Sequence, residues 1–481
     1  MRIGQTSIIF FVSKVLASVL GFLATVYFTR ALGEEIYGFY VITIALVSWF
    51  GIIKTVGFGK AIVKRMSEGE EPHQYLFAGA VIKLTLTIPV ISIILIFQEK
   101  INQYVGAEVG ILMTFLLVIS VLSELVNSAL KGSHKVHIYA PLHTVKQAAR
   151  SLLMIVLVVV GWELTGMLVG HAAGSAFVAL IGMLIVHPKI VLPNRYHFSR
   201  LFDFAKYSWL GNIRGRAFNE MDILVLGLFV PVGLTGIYAV AYSLAKFLNL
   251  FGSAIKTALF PEMSKLSVQD DMHMIGTLTN DALTFAGLFL IPGVVGAAIL
   301  GDRLMLVYGP NFDAGHWILV LLIVALIVYT YTKQLLSTLN AIDRPDLAFR
   351  ANGAFIVANL LLNVLLVWQL GWFGAATATV LSAAVGFVLS LYYVRGFIDI
   401  QLPIAEVSRQ WAAAILMGAL VYLARQFGEA NWQWIADYNA FFVVLLVSLG
   451  AGIYFATYFA ISSTFRTTIS RNLPFDVPYA R

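Results

Sequence analysis

The chain has 481 residues, 59% of them hydrophobic and only 12% charged, whereas a soluble domain carries about 25% charged residues; this excludes an ordinary water-soluble protein and implies a polytopic membrane protein. The formal net charge of +7 reads as basic loops on one membrane face, so nucleic acid is not an expected partner. The absence of cysteine excludes disulfide, thiolate and Cys-metal chemistry, and the nine histidines show no metal-binding spacing.

A helix needs about 20 residues to cross the hydrocarbon. In chain order, spans are predicted near residues 7–29, 36–58, 75–97, 110–130, 138–160, 164–186, 203–229, 236–258, 280–300, 317–339, 350–370, 372–394, 409–427 and 440–463. The first contains IIFFVSKVLASVLGFLATVYF, too long for a signal-peptide core and without a small-residue cleavage site, so it reads as a membrane helix. Span seven, YSWLGNIRGRAFNEMDILVLGLF, holds two arginines, a glutamate and an aspartate, and hydropathy alone rejects it. Loop charges retain it. With a cytoplasmic N-terminus, 19 lysines and arginines fall in inside segments and 4 outside, the other nine of the 32 lying within spans. Removing span seven would flip every later loop and spoil that asymmetry. The expectation is a multi-pass protein of the cell membrane with both termini cytoplasmic.

The outer loops, such as GDRLMLVYGPNFDAGH and FGEANWQWIADYN, are too short for an extracytoplasmic domain. The midpoint segment HPKIVLPNRYHFSR reads as a joint. The predicted organisation is an N-terminal lobe of spans one to six (1–187), a cytoplasmic linker (188–201), a C-terminal lobe of spans seven to twelve (202–400), then spans thirteen and fourteen with a cytoplasmic tail (401–481). The halves resemble each other. Gly38, Tyr40 and Leu46 match Gly236, Tyr238 and Leu244 at a constant offset, ALKGSHK matches TLNAIDR, and Gly161–Trp162 matches Gly371–Trp372. Corresponding elements lie six spans apart in the same orientation, implying two bundles related by an axis along the membrane normal, with a site between them near mid-membrane.

Three stretches carry a family resemblance: FFVSKVLASVLGFLATVYFTRALGEEIYGFY, MDILVLGLFVPVGLTGIYAVAYSLAKFL and LNAIDRPDLAFRANGAFIVANLLLNVLLVWQLGWFGAATATVLSAAVGFVLSLYYV. Over roughly residues 5–465 the chain resembles the polysaccharide transporter (Wzx-type flippase) family, whose superfamily also holds MATE-type multidrug exporters and lipid II flippases. The resemblance implies an all-α bundle of about fourteen transmembrane helices in two repeated, MATE-like lobes that alternate between inward-open and outward-open states. It implies carriage of an isoprenoid-(pyro)phosphate-linked oligosaccharide from the inner to the outer leaflet, with membrane lipids and glycan assembly enzymes as partners.

The candidate site residues are the charges inside the spans. Nine are cations: Lys14, Lys54, Lys83, Lys146, Arg150, Arg214, Arg216, Lys246 and Lys333. Only Glu124, Glu220 and Asp222 are acids of comparable depth. Each charge at a helix centre costs about 2.5–3.5 kcal/mol on insertion scales, so a surplus of cations points to a hydrated cavity that receives an anion. Helix rise places Lys54, Lys333 and Lys14 about 6–10 Å from the inner end, within snorkelling reach, and Lys83 and Lys146 about 12 Å in. Arg150, Arg214, Arg216 and Lys246 lie about 15–20 Å in. Lys146 and Arg150, four apart, share one face of span five and repel unless an anion lies between them. Pairing with Glu124 is the alternative, and it can neutralise only one of them. Arg216 and Glu220 have the spacing of an internal ion pair. Glu124, Glu220 and Asp222 are candidate sites for H+ or Na+ coupling, and no other cofactor is implied.

Pro89, Pro141 and Pro292 fall inside spans as expected kinks. His143 and His171 read as packing or hydrogen-bonding residues. A MATE-type cation exporter would need an acidic cavity, and a glycan polymerase or ligase would need a catalytic extramembrane loop. With no triad, metal cluster or phosphate loop in the sequence, no enzyme activity is expected.

Overall fold

The structure, a computed structural model, describes residues 3–55, 57–208 and 210–472, and their side chains except at 3–11, 14, 53–55, 206–208, 210–217, 219, 471 and 472. The side chains of Lys14, Lys54, Arg214 and Arg216 therefore lie outside the described ones.

The described residues form α-helices in the order α1 (Ile3–Thr55), α2 (Phe58–Ser67), α3 (Pro72–Ile96), α4 (Gln98–Val105), α5 (Gly110–Gly132), α6 (Val136–Val159), α7 (Glu163–Val186), α8 (Arg195–Ser208), α9 (Leu210–Phe229) and α10 (Val232–Leu248). They continue as α11 (Leu250–Val268), α12 (Met272–Ala286), α13 (Leu290–Leu306), α14 (His316–Ala341), α15 (Pro345–Leu370), α16 (Trp372–Arg395), α17 (Ile404–Asn431), α18 (Gln433–Ala436), α19 (Asn439–Ile461) and α20 (Ser463–Asn472). The all-α, about fourteen-helix expectation holds. By length and composition, eleven helical stretches of the described residues can cross a membrane, or twelve with the pair α10–α11, bent by 45°. One of the eleven holds both spans one and two, because α1 is two helices joined across Gly33 at φ +78. Span seven is α9, whose four charges keep it below an apolar threshold.

Three predicted features are corrected. The basic loop after span two is helical: α2 buries Phe58, Ala61, Ile62 and Met66 and exposes Lys60 and Lys64, an amphipathic spacing. Part of the midpoint linker is helical too. In α8, Leu201 and Ala205 join a core with α2, Tyr75 and Ala78 of α3, and Leu125 of α5. Pro292 stands in the first turn of α13, just past the break between α12 and α13, where proline starts a helix instead of kinking one. Pro89 and Pro141 do lie inside helices.

Contacts divide the chain into two units, Met1–Gly236 and Ile237–Arg481. In the first, α6 and α7 form a close hairpin flanked by α1 and α5. In the second, α14, α15 and α16 pack together, and α17 and α19 form a separate pair against α13. Two arginines of the second unit are tied down by acids. Arg425 is 2.5 Å from Asp302 and 2.9 Å from Glu429, which also meets Arg303 at 3.1 Å. The glycines of the repeated Gly-Trp pairs both adopt left-handed φ, +95 at Gly161 and +57 at Gly371, a conformation glycine reaches without strain.

Candidate functional site: a polar cavity in the first unit

The site begins with glycine. Gly166, Gly170 and Gly174 recur every fourth residue along α7, in GMLVGHAAG, and form one face. A Cβ at Gly174 would lie 2.6 Å from both the Cα and N of Arg150, and one at Gly170 would lie 2.6 Å from the same atoms of Met154. The backbones of α6 and α7 touch because these residues lack side chains. Arg150 and His171 stand almost equally far from the Gly161 turn, so close packing brings them level. Arg150 Nη2 lies 3.0 Å from His171 Nδ1, and the Tyr40 hydroxyl, from α1, lies 2.9 Å from the same nitrogen.

Beside this trio is a cavity of about 190 Å³ whose polar lining is Ser48, Ser120, Glu124, Lys146, His171 and Ser175. These residues come from α1, α5, α6 and α7. Glu124 is 2.8 Å from Lys83 Nζ, and Lys83 is fully enclosed. The acid is thus taken by a cation from α3, not by Lys146 or Arg150. Among the described residues, neither Lys146 nor Arg150 has a carboxylate within 4.0 Å, and the Arg150 Nε is buried with no hydrogen-bond partner. Two like charges one turn apart, with the nearby Glu124 already paired to Lys83, make a site that gains from an incoming anion.

Replacing Glu124 with glutamine would strand the Lys83 ammonium in its enclosed position. Breaking such a pair costs about 3 kcal/mol, so thermal melts should show clear destabilisation. The paired change Lys83→Met with Glu124→Leu should recover most of it. An unchanged melt for Glu124→Gln alone would show the pair to be dispensable.

The other sequence-predicted residues lie elsewhere. Lys246 sits 4.1 Å over the Tyr242 ring and Lys333 5.3 Å over the Tyr329 ring, both in the second unit. Each ring is one turn back on the same helix, a placement that supports a cation–π contact. On α9, Glu220 is half-buried and Asp222 buried. Sequence reasoning passed over His171 and Tyr40 as site residues. The glycine spacing on α7, with the matched distances from Gly161, was the available signal.

Residues 27–314 match the family model described as polysaccharide biosynthesis protein. The chain belongs to that family. This membership agrees with the resemblance read from the sequence, as do two relatives from Haloferax volcanii. The "Probable flippase AglR" is 28% identical over 477 residues, covering 98% of each chain. The "Probable low-salt glycan biosynthesis flippase Agl15" is 27% identical, over 88% of this chain and 90% of the relative. Among solved structures, lipid II flippase MurJ in its inward closed conformation superposes with a TM-score of 0.76 at 19% identity, covering 96% of this chain and 100% of that one. An inward-facing MATE family multidrug resistance transporter gives 0.64 at 13% identity, covering 79% and 95%. At these identities the structural likeness speaks for the fold of this family member alone.

Proposed function

We propose that the protein is a flippase that moves an isoprenoid-(pyro)phosphate-linked oligosaccharide from the inner to the outer leaflet of the cell membrane by alternating access. The observation that carries this reading is the pair Lys146 and Arg150, without a carboxylate partner among the described residues, beside a polar cavity. A phosphate-linked headgroup cannot shed its hydration in lipid unaided. Lysine and arginine replace that hydration with charge-assisted hydrogen bonds, and arginine adds a bidentate geometry. The flippase names of two relatives that span nearly the whole chain support the same reading. The cationic pair disfavours a MATE-type exporter of organic cations, which would need an acidic site.

Within this proposal Lys246, Lys333, Arg214, Arg216, Lys14 and Lys54 remain proposed substrate-binding residues, and Lys83 acts through Glu124. Glu220 and Asp222 remain the proposed sites for H+ or Na+ coupling. The protein acts as a transporter and not as an enzyme.

The function is tested by reconstituting the protein into vesicles with a fluorescent phosphate-linked glycolipid. Translocation should fall roughly tenfold or more in Arg150→Ala, the size expected for losing one charge-assisted contact. Full activity there and in Lys146→Ala would overturn the reading. The proposed orientation has its own test, made clean by the lack of native cysteine. Trp162→Cys should react with an impermeant thiol reagent in intact cells, and Ser133→Cys only after permeabilisation. The reverse pattern would contradict both termini being cytoplasmic.

A further inference from the structure

The hydrogen bonds around His171 fix which form of the imidazole is present. A guanidinium donates and never accepts. With Arg150 Nη2 at 3.0 Å, His171 Nδ1 must present its lone pair, and the Tyr40 hydroxyl at 2.9 Å donates to the same nitrogen. The ring proton therefore sits on Nε2. His171 lines the cavity with Lys146 and Glu124, whereas Arg150 is not among the lining residues. The neutral imidazole holds the guanidinium back beside Tyr40. A second proton has one place to go, Nδ1, where it removes the acceptor and sets two cations in contact.

We propose that His171 is a proton-operated latch on Arg150: the neutral ring restrains the guanidinium, and protonation releases it to the cavity. The inference rests on the anion-site reading given under Proposed function. The groups facing His171 are Tyr40 on α1, with Tyr37 behind it, Arg150 and Lys146 on α6, and Glu124 on α5, itself held by Lys83 of α3. Lys146 and Arg150 repel an imidazolium, and an anion seated between them offsets that repulsion. Anion and proton therefore favour each other's binding, by the same factor in both directions. The step moves one proton from water to Nδ1. Nε2 keeps its own proton, and Arg150 stays charged throughout. His171 is thus a positioning residue that sets where the arginine points and when.

Inorganic sulfate is a suitable probe because it stays divalent across the relevant pH range. Calorimetric titration of the purified full chain in lipid nanodiscs should show sulfate binding about tenfold tighter near pH 5 than near pH 7. Proton uptake should accompany it, read from the buffer dependence of the heat. His171→Asn keeps an acceptor oxygen near the place of Nδ1 but takes no proton. Its affinity should be flat with pH, at the wild-type level seen near pH 7, while Arg150→Ala should lose binding. Arg150-dependent sulfate binding with no proton uptake by the wild type, or with the same pH profile in His171→Asn, would overturn the latch and leave the anion site standing. Because the proton-uptake measurement needs no variant, a misfolded His171→Asn would not shield the idea. Failure of sulfate to bind at any pH would overturn the anion site, and the latch with it.

Discussion

Replacing Gly174 with leucine is expected to abolish the folded protein, and alanine at the same position should already weaken it severely. The contact involved is between backbones. A Cβ there would stand 2.6 Å from the Cα and N of Arg150, atoms that cannot turn aside as a side-chain tip could. Relief requires α6 and α7 to separate along their length, which undoes a tightly packed hairpin. Overpacking of this kind costs about 1–3 kcal/mol for small additions, and leucine adds three more carbons beyond the Cβ. Gly170 faces the same limit against Met154. Gly353, in α15, supplies the control, because nothing lies within 4 Å of a Cβ built there. Gly353→Ala should be neutral or slightly stabilising, since alanine is the better helix former by about 1 kcal/mol. Size-exclusion yield and thermal melts would read all of these. Wild-type stability for Gly174→Ala would show that the helices do not meet as described.

Arg150→Ala is the second large effect, and it should act on transport without unfolding the protein. The described contacts of Arg150 are with His171 and Tyr40, and its Nε is buried with no partner. Removing it leaves no acid stranded, since Glu124 stays with Lys83 at 2.8 Å. It also relieves repulsion with Lys146. The variant should therefore be as stable as the wild type or more so, while translocation falls roughly tenfold to a hundredfold, the span of one to two charge-assisted hydrogen bonds. Lys146→Ala should show a smaller loss, because a single ammonium lacks the bidentate fork. A positive charge kept for packing would behave in the opposite way, with stability falling and the transport of the surviving protein intact.

How far these features could be read in advance varied with the physics behind them. The spans were legible because lipid demands long apolar helices, and the left-handed turn at Gly161 stands in the predicted gap between spans five and six. Loop charge retained span seven where its own composition argued against it, and a helix, α9, stands at that place. The helices α2 and α8 were missed because a short amphipathic pattern with lysines resembles a polar loop until something buries its apolar face. Pairing was the least legible. The acid on span four had two candidate partners in the sequence, Lys146 and Arg150, and only the packing of α3 on α5 assigns Glu124 to Lys83. His171 looked like an isolated histidine for the same reason, since its partner sits on another helix. Lys14, Lys54, Arg214 and Arg216 lie outside the described side chains.

Lys146 lines the cavity and Arg150 stands behind its His171 wall, and the proposed cargo is a negatively charged headgroup. The most direct measurement compares, in one reconstituted vesicle preparation, the translocation of a phosphate-linked glycolipid with that of an uncharged glycolipid bearing the same glycan and tail. The wild type should move the anionic lipid and leave the neutral one behind, and Arg150→Ala should erase the difference. Equal translocation of both lipids by the wild type, or a preference for the anionic lipid that survives in Arg150→Ala with Lys146→Ala, would contradict the account.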